Sequence, residues 1–167
     1  GNDVAFVVDP DVDRLAIICE NGEMYGEEYT LVTVADYVLK HTPGNTVSNL
    51  SSTRALRDVT NAHGCTYTAS AVGEVNVVTK MRETNAIIGG EGNGGVIYPA
   101  CHAGRDALVG ICLFLSHLAH EKKTVRELRA TYPAYFMGKN RIDLKPGCDV
   151  DAILEKIKAT YAGKAEI

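Results

Sequence analysis

Residues 7–14 read VVDPDVDR, and this stretch organises the first part of the chain. Its charged members are three aspartates at alternate positions and the arginine that directly follows them: Asp9, Asp11, Asp13 and Arg14. The stretch lies between two apolar runs, residues 5–8 and 15–19, whose composition is typical of β-strands. Neighbouring carboxylates repel one another unless a hard cation or several donors compensate them. Because an arginine fork can hold a phosphate, the stretch predicts a divalent metal that acts on a phosphoryl group.

Three other interpretations compete with this metal site. An Asp-rich surface turn needs no ligand at all. An EF-hand loop would use Glu20 as its twelfth residue, but it needs glycine where Arg14 stands, and the flanks are strand-like rather than helical. A phosphatase with an aspartate nucleophile, of the haloacid dehalogenase type, fits an Asp-x-Asp pattern at the end of a strand. That interpretation leaves Asp13 and Arg14 unexplained.

The overall composition is that of a soluble globular protein. The chain has 167 residues, of which 46% are hydrophobic, and a formal net charge of −4, which suits one ordinary core and argues against a nucleic-acid partner. The five cysteines form no Cys-x-x-Cys pair and are odd in number, so we expect reduced core thiols and a cytoplasmic location. We expect no membrane association, since we find no signal peptide and the longest apolar stretch, residues 107–115, is too short to span a bilayer.

Apolar spacing and turn signals predict alternating strands and helices along the chain. Strands are predicted over residues 4–8, 15–20, 46–50, 65–69 and 86–89, with extended segments at 96–98 and 135–144. Helices are predicted over residues 27–40, 74–83, 106–121, 125–132 and 149–161, and one more is capped by Ser52 or Thr53 and ends at residue 62. The helix over 106–121 is apolar on most faces and is therefore expected to be buried. The order predicts an α/β fold, in which a layered domain with a mixed, mostly parallel sheet flanked by helices follows a strand pair.

A second group of candidate residues lies in a glycine-rich run, residues 89–95, which reads GGEGNGG. Five glycines let the backbone approach a ligand closely and leave Glu91 and Asn93 as projecting side chains that suit sugar hydroxyls. The run contains Gly-x-Gly-x-x-Gly, but a dinucleotide fingerprint must lead into a helix, whereas residues 96–99 are extended. A tight hairpin is the simpler alternative, and the number of glycines favours sugar binding over it.

Together, the two motifs resemble those of the α-D-phosphohexomutase family. The family's metal loop reads Asp-Gly-Asp-Gly-Asp-Arg, and residues 9–14 keep its four functional side chains. Its sugar-binding loop reads Gly-Glu-x-Ser-Gly-His, where residues 90–95 read GEGNGG, similar to the variant in archaeal-type phosphoglucosamine mutases. Residues 51–54, 72–74 and 104–106 also lie where the family carries loops of its third domain. The resemblance covers nearly the whole chain.

The resemblance implies an enzyme that interconverts hexose 1-phosphate and hexose 6-phosphate through a phosphoserine and a bisphosphorylated intermediate. It implies Mg²⁺ as the cofactor and a phosphosugar as the substrate, with a preference for phosphoglucosamine suggested by the loop variant. The implied metal ligands are Asp9, Asp11 and Asp13. Arg14 would be a catalytic residue that steadies the phosphate. The implied substrate-binding residues are Glu91, Asn93 and Arg105. The residue after Arg105, Asp106, would instead cap the helix that follows it.

One departure from the family concerns proton transfer. Many members have a histidine at the end of the sugar-binding loop, where this chain has Gly95. His102 is the nearby substitute, although a lone loop histidine is more often merely exposed. His117 and His120 have a helical i, i+3 spacing that could share a metal, but with no third ligand in view we expect them to be structural.

The resemblance also implies a division into domains. Residues 1–26 would be the C-terminal strands of domain two with the metal loop, residues 27–138 would be domain three, and residues 139–167 would be a linker and the start of domain four. The phosphoserine loop and the phosphate-gripping loop belong to other domains of the same protein, so we expect the chain alone to be inactive. The alternatives are a Mg²⁺-dependent phosphatase with an aspartate nucleophile and a non-catalytic phosphosugar-binding module.

Overall fold

The computed structural model describes residues 1–163. These residues divide into two units, with the boundary between Phe136 and Met137. The last four residues, which belong to the predicted start of domain four, lie outside the described residues.

The first unit begins with an antiparallel strand pair. Strand β1 spans Val4–Val8 and strand β2 spans Leu15–Cys19, and the register pairs Val4 with Cys19 and Val8 with Leu15. The loop of residues 9–14 therefore closes a hairpin. This arrangement confirms the predicted strand pair around the aspartates.

The second sheet of this unit has four strands. They are β3 (Asn45–Asn49), β4 (Tyr67–Ser70), β5 (Ala86–Glu91) and β6 (Gly95–Ile97), in the spatial order β4-β3-β5-β6. Strands β4, β3 and β5 are parallel, and β6 runs antiparallel to β5. A helix follows each of the first two parallel strands, as a crossover between parallel strands requires. The predicted mixed, mostly parallel sheet is confirmed.

The first unit also contains five helices: α1 (Glu27–His41), α2 (Ala55–Ala62), α3 (Glu74–Thr84), α4 (Ala107–Glu121) and α5 (Val125–Ala130). Adjacent residues of a strand face opposite sides of a sheet, and Val96 and Ile97 of β6 accordingly belong to two different apolar clusters. The larger cluster includes side chains of α1, α4 and β2, whereas the smaller one includes side chains of α3. The sheet is thus covered by helices on both faces.

Helix α4 joins the strand pair to the layered part of the unit. The ring of Phe114 is fully buried and meets Phe6 and Tyr25 edge-on, with centroids 6.0 and 5.2 Å apart. One stripe of side chains along the helix is buried, whereas Leu108 and Leu115 are 61% and 42% exposed. The expectation that this helix is buried is therefore wrong for its outer side, because only one side of the helix meets neighbours in the described part of the chain.

A polar cluster lies inside the unit between α1, α4 and the segment after α5. The carboxylate of Asp36 meets Nε2 of His63 at 2.8 Å and Nε2 of His117 at 3.2 Å, and Tyr132 donates to it at 3.0 Å. Burial opposes ionisation, but these hydrogen bonds outweigh it and hold the pKa of Asp36 well below its usual range. His117 is a core residue, as expected, whereas His120 lies at the surface against the ring of Tyr37.

Three further predictions need correction. Residues 135–144 form no strand, because the segment is exposed and pairs with no strand among residues 1–163. Helix α2 has Arg54 as its N-cap rather than Ser52 or Thr53, and Oγ1 of Thr53 instead accepts from the backbone N–H of Ala55. All five cysteines are free, but they are not all core thiols: Cys101, Cys112 and Cys148 are exposed.

The second unit contains helix α6, Val150–Tyr161, which confirms the helix predicted over residues 149–161. Asp149 caps it by accepting from the backbone N–H of Ala152 at 3.0 Å. Its apolar side chains are 40–48% exposed: Val150, Ile153, Leu154, Ile157 and Tyr161. Within residues 1–163, no helix has both the length and the apolar character that crossing a membrane requires.

Replacement of Phe114 by alanine tests the packing of the strand pair. We expect Phe114→Ala to lower the free energy of unfolding by about 3–5 kcal/mol, because it leaves a cavity beneath Phe6 and Tyr25. Leu115→Ala, one residue further and half exposed, should cost less than about 1 kcal/mol. Urea unfolding followed by circular dichroism measures both changes, and equal losses would contradict the packing described.

Candidate functional site

The loop of residues 9–14, here called the acidic loop, is organised by Asp9. One oxygen of Asp9 accepts the backbone N–H groups of Asp13 and Arg14 at 3.1 and 3.0 Å, and the other accepts Nε of Arg14 at 2.5 Å. Val12 adopts a left-handed conformation with φ of 58°. Although burial opposes ionisation, the hydrogen bonds from Arg14 and the backbone hold the pKa of Asp9 well below its usual range.

The acidic loop gathers the three carboxylates that the sequence predicts as metal ligands. Oxygens of Asp9, Asp11 and Asp13 all lie within 4.8 Å of one another. Burial raises the pKa of Asp13, and the neighbouring Asp11 adds to this, against the opposing effect of Arg105. Oδ1 of Asp13 is buried and accepts no hydrogen bond. A set of close oxygen donors with one unsatisfied buried member fits a hard divalent cation.

The glycine-rich run, here called the glycine loop, connects β5 to β6. It forms a tight antiparallel hairpin, as the simpler interpretation of its glycines predicts. Gly94 has a φ of 87°, and a side chain there would collide with the backbone of Leu15. The backbone N–H of Leu15 donates to the carbonyl oxygen of Gly94 at 3.1 Å. Glycine at this position thus lets the glycine loop touch the strand that leaves the acidic loop.

The side chain of Glu91 lies inside the protein and does not project from the glycine loop. Its residue is only 4% exposed, and its Oε1 accepts from Nδ2 of Asn49 at 2.7 Å and from the backbone N–H of Gly73 at 3.3 Å. Asn93 is half-buried, and its Oδ1 accepts from the backbone N–H of Gly95 at 3.1 Å. The prediction that Glu91 projects from the loop is wrong, because Asn49 and Gly73 supply donors that a short sequence window around Glu91 does not contain.

Arg105 joins the two loops. Its guanidinium donates through Nη1 to Oε2 of Glu91 at 2.6 Å and through Nη2 to Oδ2 of Asp13. The sequence predicts Arg105 as an anion-binding residue, and in the structure the anions are carboxylates of the chain itself. The Asp106 side chain that follows caps α4, as predicted, by accepting from Val109 at 3.0 Å. His102 is held against Asp106 through Nε2 at 2.9 Å, and its side chain is half exposed.

Other site residues come from the carboxyl ends of the parallel strands. Asn49 is the last residue of β3, and its Oδ1 accepts from Oγ of Ser52 at 2.8 Å. The same Oγ accepts the backbone N–H of Gly92 at 2.8 Å, so it ties the segment after β3 to the glycine loop. Glu28 accepts from the backbone N–H of Thr53 at 2.8 Å. Asn49 and Glu28 were not predicted from the sequence, although parallel α/β sheets place their sites at this edge and Asn49 could have been found in that way.

A cavity of about 380 Å³ opens beside the acidic loop. Its lining includes Asp9, Arg14, Glu27 and Asn93, so it brings the predicted catalytic arginine and one predicted sugar-binding residue to one surface. The side chain of Arg14 is 51% exposed. The arrangement offers oxygen ligands for a cation, a guanidinium for an anion, and an amide for hydroxyl groups.

Comparisons with known proteins find similar sequences. Residues 26–135 match the family model described as phosphoglucomutase/phosphomannomutase, alpha/beta/alpha domain III. A phosphoglucomutase/phosphomannomutase of Thermococcus kodakarensis is 32% identical over 158 residues, which are 94% of this chain and 34% of that protein. A phosphoglucosamine/phosphogalactosamine mutase of Sulfurisphaera tokodaii is 28% identical over 163 residues, which are 96% of this chain and 36% of that protein.

Solved structures give the same result for the fold. A phosphoglucomutase/phosphomannomutase family protein of Burkholderia thailandensis has a TM-score of 0.67 at 25% identity, and the match covers 78% of this chain and 29% of that one. The N-acetylphosphoglucosamine mutase of Aspergillus fumigatus, in complex with GlcNAc-6P and magnesium, has a TM-score of 0.63 at 14% identity and covers 95% of this chain and 41% of that one. That second likeness shows the fold alone. The chain spans about a third of the length of its curated relatives.

Replacement of Glu91 by glutamine tests whether its buried contacts stabilise the fold. We expect Glu91→Gln to lower the free energy of unfolding by about 1–3 kcal/mol, because an amide group would then face buried donors. Glu83→Gln, on the exposed face of α3, removes the same charge and should change stability by less than about 0.5 kcal/mol. Equal denaturation midpoints for Glu91→Gln and wild type would contradict the network described.

Proposed function

This chain belongs to the phosphoglucomutase/phosphomannomutase family, and on that premise we propose that it supplies the metal and sugar-recognition part of a phosphohexomutase. The parent enzyme would interconvert hexose 1-phosphate and hexose 6-phosphate. The observation that carries the proposal is the direct link between the acidic loop and the glycine loop through Arg105. A cation-binding group and a sugar-binding group so connected would act on one substrate, as transfer of a phosphoryl group to a sugar requires.

The acidic loop would hold Mg²⁺ through Asp9, Asp11 and Asp13. Bound there, the cation would neutralise the charge that develops as the phosphoryl group moves. The close carboxylates and the unsatisfied Oδ1 of Asp13 support this assignment. The relative from Aspergillus fumigatus, whose structure contains magnesium, shares the fold. Three carboxylates alone would bind Mg²⁺ weakly, because this ion gives up its water reluctantly.

The positively charged and polar side chains would bind the phosphosugar. Arg14 is anchored to Asp9 through Nε while half of its side chain remains exposed in the cavity, so it can grip a phosphate without losing its own position. Asn93 lines the same cavity and would meet a ring hydroxyl. Glu91 would bind the sugar once one of its internal donors gives way, and the backbone N–H of Gly73, at 3.3 Å, is the longer of the two contacts to its Oε1. Arg105 would meet the anionic end of the substrate.

The remaining steps would depend on other parts of the parent protein. We assign residues 1–26 to the end of domain two, residues 27–138 to domain three and residues 139–167 to a linker and the start of domain four. Because the chain spans about a third of its relatives, a phosphoserine and a second phosphate-binding loop would come from the other domains of the same protein. The loop sequence at residues 90–95 favours phosphoglucosamine as the substrate. A cytoplasmic location is part of the same proposal.

An assay of the full reading frame beside the 167-residue chain tests the proposal. With Mg²⁺ present, we expect the parent protein to interconvert the 1- and 6-phosphates of glucosamine, and glucose and mannose phosphates more slowly, while the isolated chain shows no turnover. ³¹P NMR distinguishes isomerisation from hydrolysis. In the parent, Asp11→Asn should lower kcat at least about a hundredfold through loss of a metal ligand, whereas Asp3→Asn, which removes the same charge outside the loop, should not.

Three results would contradict the proposal. Turnover by the isolated chain would show that the other domains are not needed for catalysis. Release of inorganic phosphate by the parent, without isomerisation, would indicate a phosphatase. Binding of the phosphosugar by the parent without any reaction would likewise count against a mutase and favour a binding module.

A further inference from the structure

The guanidinium of Arg105 is surrounded by carboxylates from three separate segments. Asp13 belongs to the acidic loop, Glu91 ends β5, and Glu74 begins α3. Glu74 lies 3.6 Å from Nε of Arg105 and also accepts the backbone N–H of Arg105 at 2.8 Å. The Arg105 side chain is only 19% exposed. Its positive charge therefore compensates the negative charges of these three carboxylates and is largely shielded from solvent.

Asp13 is shared between this arginine and the acidic loop. Its Oδ2 accepts from Arg105, while its Oδ1 has no hydrogen bond and lies 3.6 Å from Nε of Arg14. One of its two oxygens lies within 4.8 Å of oxygens of Asp9 and Asp11. A divalent cation in the acidic loop would place two cationic centres on one carboxylate, and like charges at this range repel. Arg105 already compensates part of the negative charge that would attract the cation.

We propose that Arg105 is an internal counter-ion that competes with the divalent cation for Asp13 and so couples occupancy of the acidic loop to the glycine loop. The inference rests on the proposed function, since it takes the acidic loop to be the cation site. Binding of a cation at Asp13 releases Nη2 of Arg105. The contacts to Glu91 and Glu74 keep the rest of the guanidinium in place, so the released nitrogen is left without its carboxylate partner and can meet an anionic group of the substrate.

Linkage makes this coupling reciprocal. A phosphosugar that draws Arg105 away from Asp13 strengthens cation binding by the same factor by which the cation strengthens phosphosugar binding. Before either ligand arrives, Arg105 keeps Asp13 and Glu91 close together in spite of their like charges. The arginine thus takes the place of the ligands until they bind.

A titration of the chain with MgCl₂ at constant ionic strength tests the proposal. Carboxyl ¹³C signals of the aspartates report binding at the acidic loop, and the Nε–Hε signal of Arg105 reports its release. We expect Mg²⁺ to shift the Arg105 signal in wild type, and we expect Arg105→Gln to bind Mg²⁺ about tenfold more tightly, because the competing charge is gone. Arg126→Gln, which removes the same charge from an exposed side chain near Glu23, should bind within about twofold of wild type.

The outcomes separate this inference from the proposed function. Binding at the acidic loop that is no tighter in Arg105→Gln than in wild type, or that leaves the Arg105 signal of wild type unmoved, overturns the inference alone. Mg²⁺ that shifts none of the aspartate signals in any of the three proteins overturns the cation site and the inference together. If Arg105→Gln does not fold, the wild-type Arg105 signal decides, since that measurement requires no variant.

Discussion

A single guanidinium, that of Arg105, holds together two negatively charged parts of this site. Asp13 and Glu91 lie in segments far apart along the chain, and each side chain is mostly buried, at 18% and 6% exposure. Two carboxylates in such surroundings would repel one another and lose hydration without a shared cation. Because Arg105 bonds to both, the acidic loop and the glycine loop form one site even before a ligand binds.

The backbone brings the same two loops together. Leu15 donates to Gly94, and the N–H of Ala107 donates to the carbonyl oxygen of Val12 at 3.1 Å, so the start of α4 also touches the acidic loop. Farther along the same helix, Phe114 packs against the strand pair that carries the loop. The position of Arg105, just before α4, thus follows from the packing of that helix. Side-chain charge and backbone geometry specify the same arrangement.

Sequence reasoning recovered the parts of this arrangement that depend on local patterns. The spacing of apolar residues and the turn signals predicted the alternating strands and helices. The cap at Asp106 and the close aspartates followed from a few neighbouring residues. The bridge from Asp13 to Glu91 could not be predicted in this way, because nothing near Arg105 in the sequence identifies its partners. The projecting Glu91 and the strand at 135–144 failed for the same reason: burial and strand pairing depend on distant segments.

Asp13 and Glu91 are coupled to one another through Arg105. A double-mutant cycle of Asp13→Asn and Glu91→Gln, measured by urea unfolding of the chain, tests this coupling most directly. Since both variants remove a partner of one guanidinium, we expect their effects on the free energy of unfolding to be non-additive, with a coupling of about 1 kcal/mol or more. Effects that add to within about 0.3 kcal/mol would show that the two loops are energetically independent and would contradict the account.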